Sequence, residues 1–400
     1  ALYGEDLYKE VVVQTLAFLD RELSRPKGGY YASLDADSLN SKGDLEEGAY
    51  YTWDGADLAN LLREDFEWFQ EYYNINDFGL WEKGQYVLIR TVPDEAFASK
   101  RGWTLDMLRE HRSRVCWRLL EVREKRPRPR LDDKIITSWN GLLLGGLCDA
   151  YRYCGLEDAR KKALELADFI QRSLSREDGG LLHSFKEGGK SVNGYLEDYA
   201  AVIQGYIKLY SVVQDPSWME RARELADYCL KYFSEADQPL LYFSSSLDRA
   251  LIRRTLEVND SVMPASNSLM AKNFFNLGAF YADSGYNERA REMLVAVQAS
   301  MQRYPGQYSN WMHLALWLDA PFYEVVITGP EAFDKLASLK KRYLPHVLLA
   351  ASKDPVAEPL FENRHSTDTT RIFICQFGQC NQPLSEVSEA LKVLQLREGN

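Results

Sequence analysis

Lys162-Ala163-Leu164-Glu165-Leu166-Ala167-Asp168 returns 59 residues on (162 to 221) as Arg221-Ala222-Arg223-Glu224-Leu225-Ala226-Asp227. A third copy, Arg289-Ala290-Arg291-Glu292-Met293, follows after 68 more (221 to 289). A repeat of that length exceeds one helix and suits a helix pair with a long loop, the unit of a stacked or closed helical array. Laid in register, the copies align Asn140 with Tyr199 and with Asn267, each near the start of a helix that is apolar nearly all round. Such a helix is buried. The segments 157–174, 218–233 and 287–301 carry charge on one side and Leu, Ala, Phe or Val on the other, the pattern of a helix with one face in the core and one in water.

The loops after these outer helices are also alike. Gly179-Gly180-Leu181-Leu182 matches Gly28-Gly29-Tyr30-Tyr31, and Pro239-Leu240-Leu241 stands in the third copy. Glycine there ends a helix, because it takes the left-handed conformation at little steric cost, and the apolar pair reads as a short strand. The expected fold is therefore mainly α, an (α/α)6-toroid-like array of helical hairpins with inner and outer rings. The loops are too long and variable for an open solenoid, whose repeats run ~20–50 residues. Residues 8–23 already read as an outer helix lacking its partner, so the ring is expected to be incomplete in this chain.

Near Pro321 the periodicity changes. Segment 323–330 reads as a strand followed by a turn, and 346–350 and 370–375 as strands, with helices over 331–342 and 385–396. Strand–helix–strand spacing implies a parallel pair with a crossover. The expected domains are a hairpin array over 1–320 and a small α/β domain with parallel strands over 321–400.

Hydrophobic residues make up 46% of the 400 and charged ones 27%, so a large core is available. A net charge of −11 argues against nucleic acid and anionic membranes as partners. No apolar run approaches the ~20 residues of a spanning helix, and Ala1-Leu2-Tyr3-Gly4-Glu5-Asp6 is not a signal peptide, so a cytoplasmic location is expected. The five histidines form no close pair, so no zinc site and no cofactor are expected. Cys116, Cys148, Cys154 and Cys229 read as small hydrophobes. Cys375 and Cys380, separated by four residues, leave a redox or disulfide role open. The basic, proline-rich run Lys125-Arg126-Pro127-Arg128-Pro129-Arg130 reads as a rigid solvated linker.

Acidic and polar clusters gather at the helix starts and loops. They are Asp35-Ala36-Asp37-Ser38, Asp132-Asp133-Lys134, Tyr195-Leu196-Glu197-Asp198-Tyr199 and Asn259-Asp260 before Ser266-Asn267. If the repeats close, these ends converge on one mouth, with carboxylates facing a cavity lined by Trp139, Tyr195 and Tyr199. Carbohydrate chemistry uses such a set: a carboxyl pair cleaves glycosides, and an acid with a base epimerises a ring-opened sugar. Each carboxylate taken alone reads equally as a helix cap.

The same segments bring a family into view. Gly28-Gly29-Tyr30-Tyr31 through Asp35-Ala36-Asp37-Ser38, Glu46-Glu47-Gly48-Ala49-Tyr50-Tyr51-Thr52-Trp53, Arg126-Pro127-Arg128-Pro129 with Asp132-Asp133-Lys134, Ser138-Trp139-Asn140-Gly141-Leu142, Leu196-Glu197-Asp198-Tyr199-Ala200 and Pro264-Ala265-Ser266-Asn267-Ser268 occur in order along nearly the whole chain. With the Cys375 and Cys380 region they resemble the C-terminal part of the spermatogenesis-associated, thioredoxin-fused family. The resemblance implies a toroid like that of N-acylglucosamine 2-epimerases and six-hairpin glycosidases. It also implies an N-terminal thioredoxin-like domain, absent from this chain, as a partner within the same protein. The family has Asp-Gly-Ala where this chain has Asp260-Ser261-Val262.

The functional expectation is a carbohydrate-active or carbohydrate-binding toroid with a small sugar-like ligand. Asp198 and Asp133 are expected as acid and base, supported by Glu197, Asp132 and Asp37. Trp139, Asn140, Tyr199, Asn267, Asp260, Asp35 and Tyr195 are expected at the substrate. Two alternatives stand beside it: a thiol-redox protein whose toroid binds clients of the absent thioredoxin-like domain, and a non-catalytic interaction scaffold.

Overall fold

The computed structural model describes residues 2–249, 253–366, 368–376 and 378–394. Two compact units are present, residues 33–133 and residues 1–32 together with 134–400. The expected change of architecture at residue 321 falls inside the second of these. Helix α1 (Asp6–Phe18) opens the larger unit.

The 33–133 unit is built on three antiparallel ribbons and four helices. Strand β1 (Ser33–Leu34) meets a later strand, β2 (Asp37–Leu39) pairs with β3 (Leu45–Glu47), and β4 (Trp53–Asp54) pairs with β5 (Gln85–Tyr86). Helices α2 (Gly55–Leu62), α3 (Phe66–Tyr72), α4 (Asp94–Lys100) and α5 (Leu105–Arg123) close over Leu58, Leu62, Phe69, Phe97 and Leu108. The unit ends on β6 (Leu131–Asp132), the partner of β1. The basic run before β6 corrects the solvated-linker reading at Arg126. Its guanidinium lies 4.0 Å over the Trp53 ring and donates to the carbonyls of Ala49, Tyr50 and Thr52. Three acceptors and an aromatic face compensate a half-buried cation, and its partial burial still pulls its pKa down.

The larger unit resumes at β7 (Ile135–Ile136) and α6 (Thr137–Cys154), followed by α7 (Glu157–Phe169), β8 (Leu182–Phe185) and β9 (Val192–Asn193). Then come the hairpins α8 (Leu196–Val213) with α9 (Ser217–Tyr232) and α10 (Ser266–Tyr281) with α11 (Ser284–Arg303), and finally α12 (Ser309–Asp319). Inner helices α6, α8 and α10 pack side by side, and each packs against its own outer partner. The repeated motif explains the outer row. Ala163, Ala222 and Ala290 are fully buried, and Leu166, Leu225 and Met293 are buried three residues on. The charged members of each copy stay outside. The architecture is thus mainly α, a toroid-like array of helical hairpins carrying a C-terminal α/β unit.

Two glycines set how closely the inner helices approach. A Cβ on Gly141 of α6 would sit 2.7 Å from the Ala201 and Val202 backbone of α8, and one on Gly205 would sit 3.0 Å from the Gly141 carbonyl. Side chains other than hydrogen do not fit between these backbones.

In the C-terminal part, β10 (Tyr323–Thr328) runs parallel to β11 (Val347–Ser352) across α13 (Ala332–Lys340), as the spacing implied. Strand β12 (Arg371–Gln376) lies antiparallel on the other side of β10, and β13 (Gln379–Cys380) antiparallel to β12. A parallel return needs a crossover. The connection to β12 contains only the single turn Pro359–Phe361, and the strand comes back antiparallel. One sheet face, with Val326, Leu348 and Ala350, joins the hairpin core, and the other, with Val325, Ile327 and Leu349, packs with α13 and α14 (Val387–Leu394). Residue 396, the expected end of this last helix, lies outside the described residues. Among the described residues no helix is long and apolar enough to cross a membrane.

Gly141→Ala should therefore lower the urea unfolding midpoint, with overpacking costing about 1–3 kcal/mol. Gly146→Ala, on the same helix where a Cβ meets nothing within 4 Å, should raise it by up to ~1 kcal/mol. Equal effects at the two positions would remove the close-approach account.

Candidate active site at the inner-helix starts

The position shared by the three copies has one job in the structure. Asn140 accepts from the Tyr30 N–H (2.9 Å) and donates to the carbonyls of Tyr30 (3.0 Å) and Ile136 (2.9 Å). Asn267 accepts from the Leu241 N–H (2.8 Å) and donates to the carbonyls of Leu241 (2.8 Å) and Glu257 (2.9 Å). The Tyr199 hydroxyl accepts from the Leu181 N–H (2.9 Å). Tyr30, Leu181 and Leu241 are the equivalent residues of the three loops. Each inner helix thus clamps the loop that arrives from the preceding outer helix, through a polar side chain that is buried. A backbone segment held in the core must find such partners.

Two buried aspartates tie neighbouring inner helices together. Asp198 accepts from the Ser138 N–H with Oδ1 (2.8 Å), and from the Tyr195 N–H (2.8 Å) and His183 Nδ1 (3.0 Å) with Oδ2. It therefore joins the starts of α6 and α8. Asp260 accepts with Oδ1 from the Ala265 N–H (2.9 Å) and the Ser268 hydroxyl (2.7 Å), and with Oδ2 from the Asn310 N–H (2.8 Å). It joins the starts of α10 and α12. A carboxylate at a helix N-terminus satisfies unpaired N–H groups and complements the helix dipole. At Asp198, burial pushes the carboxyl up in pKa while the three donors oppose it.

Against Asp198 stand the two groups that remain open to a ligand. His183, on β8, is half-buried, and the hydrogen bond to Asp198 raises its pKa against the opposing effect of burial. Among the described residues only its Nδ1 is hydrogen-bonded. Glu197, the residue before Asp198 on α8, has Oε1 4.0 Å from that Nδ1. Burial, followed by the charges of Asp198 and Glu257, pushes its carboxyl up to about 7. Tyr195 flanks the imidazole at 4.8 Å and stacks on Phe243 at 5.0 Å. Trp139, beside Ser138 at the start of α6, is 41% exposed.

Asp35, Asp37, Asp132 and Asp133 lie in the 33–133 unit. Arg130 donates twice to one oxygen of Asp35, Oδ2, from Nε at 3.0 Å and Nη2 at 2.5 Å, and these bonds hold its carboxyl below the usual range. Asp37 sits on β2 opposite Glu47. This unit has its own polar cleft of about 650 Å³, lined by Glu46, Asp54, Asp57, Lys83 and Arg126 among others. Cys375 and Cys380 form a disulfide.

Sequence reasoning missed two groups. His183 stands 15 residues before Asp198 (183 to 198) with no spacing signal, and only the β7–β8–β9 ribbon brings it there. Lys272, buried within α10, donates to Asn310 Oδ1 (2.9 Å), and burial, with the nearby Lys208 charge, pulls its amine down to about 8. His183, Glu197 and Asp198 also place three possible metal-ligating atoms within 4.8 Å of one another. Nitrogen and carboxylate donors suit a divalent cation. Such an ion would have to displace the His183–Asp198 hydrogen bond, since both Asp198 oxygens already accept N–H groups.

The hairpin array and its acid–base cluster define a helical toroid-like protein with a polar site at the inner-helix starts. The chain is similar in sequence to spermatogenesis-associated protein 20. The mouse protein is 26% identical over 98% of this chain and 55% of its own length, and the human protein 27% identical over the same shares. The chain thus spans about half the length of the curated relatives it matches. No family model matches it. Solved structures with a similar arrangement include a GH76 α-mannanase of Bacteroides thetaiotaomicron (16% identity, 73% of this chain and 71% of that one, TM-score 0.37). They also include cellobiose 2-epimerase of Spirochaeta thermophila (13% identity, 76% and 72%, TM-score 0.37). By name both neighbours process carbohydrate, and that chemistry is theirs.

Tyr199→Phe should leave the buried Leu181 N–H without an acceptor, at a cost of about 1–3 kcal/mol. Hydrogen exchange at Leu181 should accelerate at least ~10-fold, and unchanged exchange would refute the clamp.

Glu197 gives a pH prediction. A carboxyl raised from its ordinary 4.5 to about 7 contributes stability that is full below 4.5 and is lost as pH rises through about 7. Glu197→Gln, which does not ionise, should gain stability relative to the native chain across that window and level off above it. A difference that does not change with pH would show that Glu197 titrates normally.

Proposed function

We propose that the cluster at the start of α8 performs acid–base chemistry on a carbohydrate-like ligand, in the manner of a sugar epimerase or isomerase. The observation that carries this reading is the pairing of His183 with Glu197. Asp198 holds the imidazole by Nδ1 at 3.0 Å, which leaves Nε2 to take or give a proton. Glu197 lies beside it with its carboxyl pushed up to about 7. General acid–base catalysis works best when both groups have pKa values near the working pH. Inverting configuration next to a carbonyl asks for one group to remove a proton and another to return one, and His183 and Glu197 fill these two roles.

Glycoside hydrolysis fits less well. It needs two carboxyl groups that both reach the sugar. Asp198 is fully buried with both oxygens engaged, so it serves as a positioning residue for His183. Tyr195 and Trp139 offer aromatic faces for the CH surface of a sugar ring. Asn140, Tyr199, Asn267 and Asp260 support the site through the clamps and ties. The reading does not require Asp35, Asp37, Asp132 or Asp133. Carbohydrate as the ligand class is supported by the polar, aromatic-flanked surroundings.

Incubation with reducing aldoses and cellobiose in D₂O tests this directly. Epimerisation should place deuterium at C2 and isomerisation at C1 of the ketose, read by NMR, whereas hydrolysis leaves C2 protonated. His183→Asn and Glu197→Gln should each lower kcat by about 10²–10⁴. Asp198→Asn should move the limb of the pH–rate profile that His183 controls to lower pH. If no aldose or glycoside is turned over or bound, the reading fails.

A further inference from the structure

A second reactive group lies far along the chain from that cluster. Cys375 on β12 and Cys380 on β13 are direct cross-strand partners joined by a disulfide. Glu324 on β10 is the partner of Cys375 on its other side. Directly opposed residues share a sheet face, so Glu324, Cys375 and Cys380 form one row. Cys375 is buried, whereas Cys380 is exposed. Arg364, only 8% exposed, points Nε at Cys380 Sγ at 3.1 Å and donates Nη2 to the Gly378 carbonyl at 3.4 Å. Its remaining nitrogen donates to the Leu360 carbonyl. Arg364, Glu324 and Gly378 also line a cavity of about 180 Å³, whose apolar wall includes Phe275, Phe322 and Leu360.

We propose that Cys375–Cys380 is a thiol–disulfide exchange site, with Cys380 the sulfur that meets an external dithiol and Arg364 the group that holds its thiolate. A neutral disulfide gives a buried guanidinium no charge to pair with. Reduction supplies one. Among the described residues no carboxylate hydrogen-bonds Arg364: its bonds go to Cys380 Sγ and two carbonyls, and Glu324 only feels its charge, which opposes the rise that burial gives that carboxyl. A purely structural role accounts for less. The bridge spans a sequence separation of 5 between strands already paired, and the entropy gained by cross-linking grows with loop length.

The exchange balances as follows. A thiolate of the dithiol attacks Cys380 Sγ, the Cys375–Cys380 bond breaks, and its electron pair passes to Cys375 Sγ, which takes a proton. The dithiol's second thiol gives up its proton and attacks its own sulfur in the mixed disulfide. Cys380 then leaves as a thiolate beside Arg364. The dithiol is oxidised to a disulfide and the cysteine pair is reduced, with two electrons transferred. The adjoining cavity gives an apolar part of the incoming molecule a place to rest.

Dithiothreitol is the probe. The folded full chain is reduced, then alkylated with iodoacetamide between pH 5 and 9, and the modification of Cys380 is followed by mass spectrometry. Cys380 should react at least ~10-fold faster than N-acetylcysteine at pH 6, because a neighbouring cation raises the thiolate fraction. Arg364→Gln should remove that excess and Arg364→Lys should keep most of it, a rescue that a packing role alone would not give. If Arg364→Gln does not fold, the native pH profile and the lysine variant decide the matter. A disulfide that survives excess dithiothreitol in the folded protein overturns the proposal. So does a Cys380 profile matching N-acetylcysteine, or an equal loss in the lysine and glutamine variants.

Discussion

The larger unit depends on a hydrogen bond made three times, from the start of an inner helix to the backbone of the loop that delivers the preceding outer helix. Asn140 holds Tyr30, Tyr199 holds Leu181 and Asn267 holds Leu241. Without such a partner the loop backbone would enter the core with an unpaired N–H, which costs about 1–3 kcal/mol each time. With it, every outer helix is placed against its neighbours by the same contact, and the Ala and Leu stripe of the repeated motif meets the core in the same phase. The aspartates work on the other side of the same helix starts. Asp198 joins α6 to α8 and Asp260 joins α10 to α12, so clamps and ties together fix the row of helix N-termini.

That arrangement decides which carboxylates remain for chemistry. Asp198 has three donors on two oxygens, and in the proposed chemistry it acts through His183. Glu197, one residue earlier and about 100° around the helix, is left partly open beside it. A fixed carboxylate orienting an imidazole is a recurrent device for setting its tautomer. Two adjacent residues on one helix turn can therefore have different fates. One is a structural anchor and the other a group whose proton is loosely held near neutral pH.

Much of the fold was legible because the constraint is periodic. The clamp needs a polar group at one helical phase, so Asn140, Tyr199 and Asn267 stood out even though they differ in chemistry. The outer helices were legible because each must keep Lys, Arg and Glu in water while burying Ala and Leu. The sequence left cap and catalyst open for each acidic residue, and at Asp198 and Asp260 the bonds are of the capping kind. His183 could not be read. Its contact with Asp198 depends on a ribbon register, which no spacing between residues 183 and 198 encodes. Arg126 was hidden for a similar reason. A basic, proline-rich run looks solvated by composition, and only the Trp53 face with three convergent carbonyls explains its burial. The antiparallel return of β12 was equally invisible, since it follows from a connection without a crossover helix rather than from any residue in the strand.

The two candidate centres of the larger unit obey one rule in opposite directions. At α8, burial works on a carboxyl that lacks a cationic partner of full charge, and its proton is retained to near neutrality. At β13, a buried guanidinium stands against a sulfur that is neutral as a disulfide and gains charge only on reduction. In both places the fold has taken an ionisable group out of water and withheld its ordinary counter-charge, which is costly unless a change of state supplies one. For Glu197 that change is loss of its proton to a partner such as His183. For Arg364, in the proposed exchange, it is arrival of two electrons at Cys375 and Cys380. Elsewhere in the larger unit, ion pairs such as Lys208 with Asp149 and Lys162 with Asp20 are already complete, and a completed pair has no such change of state to wait for.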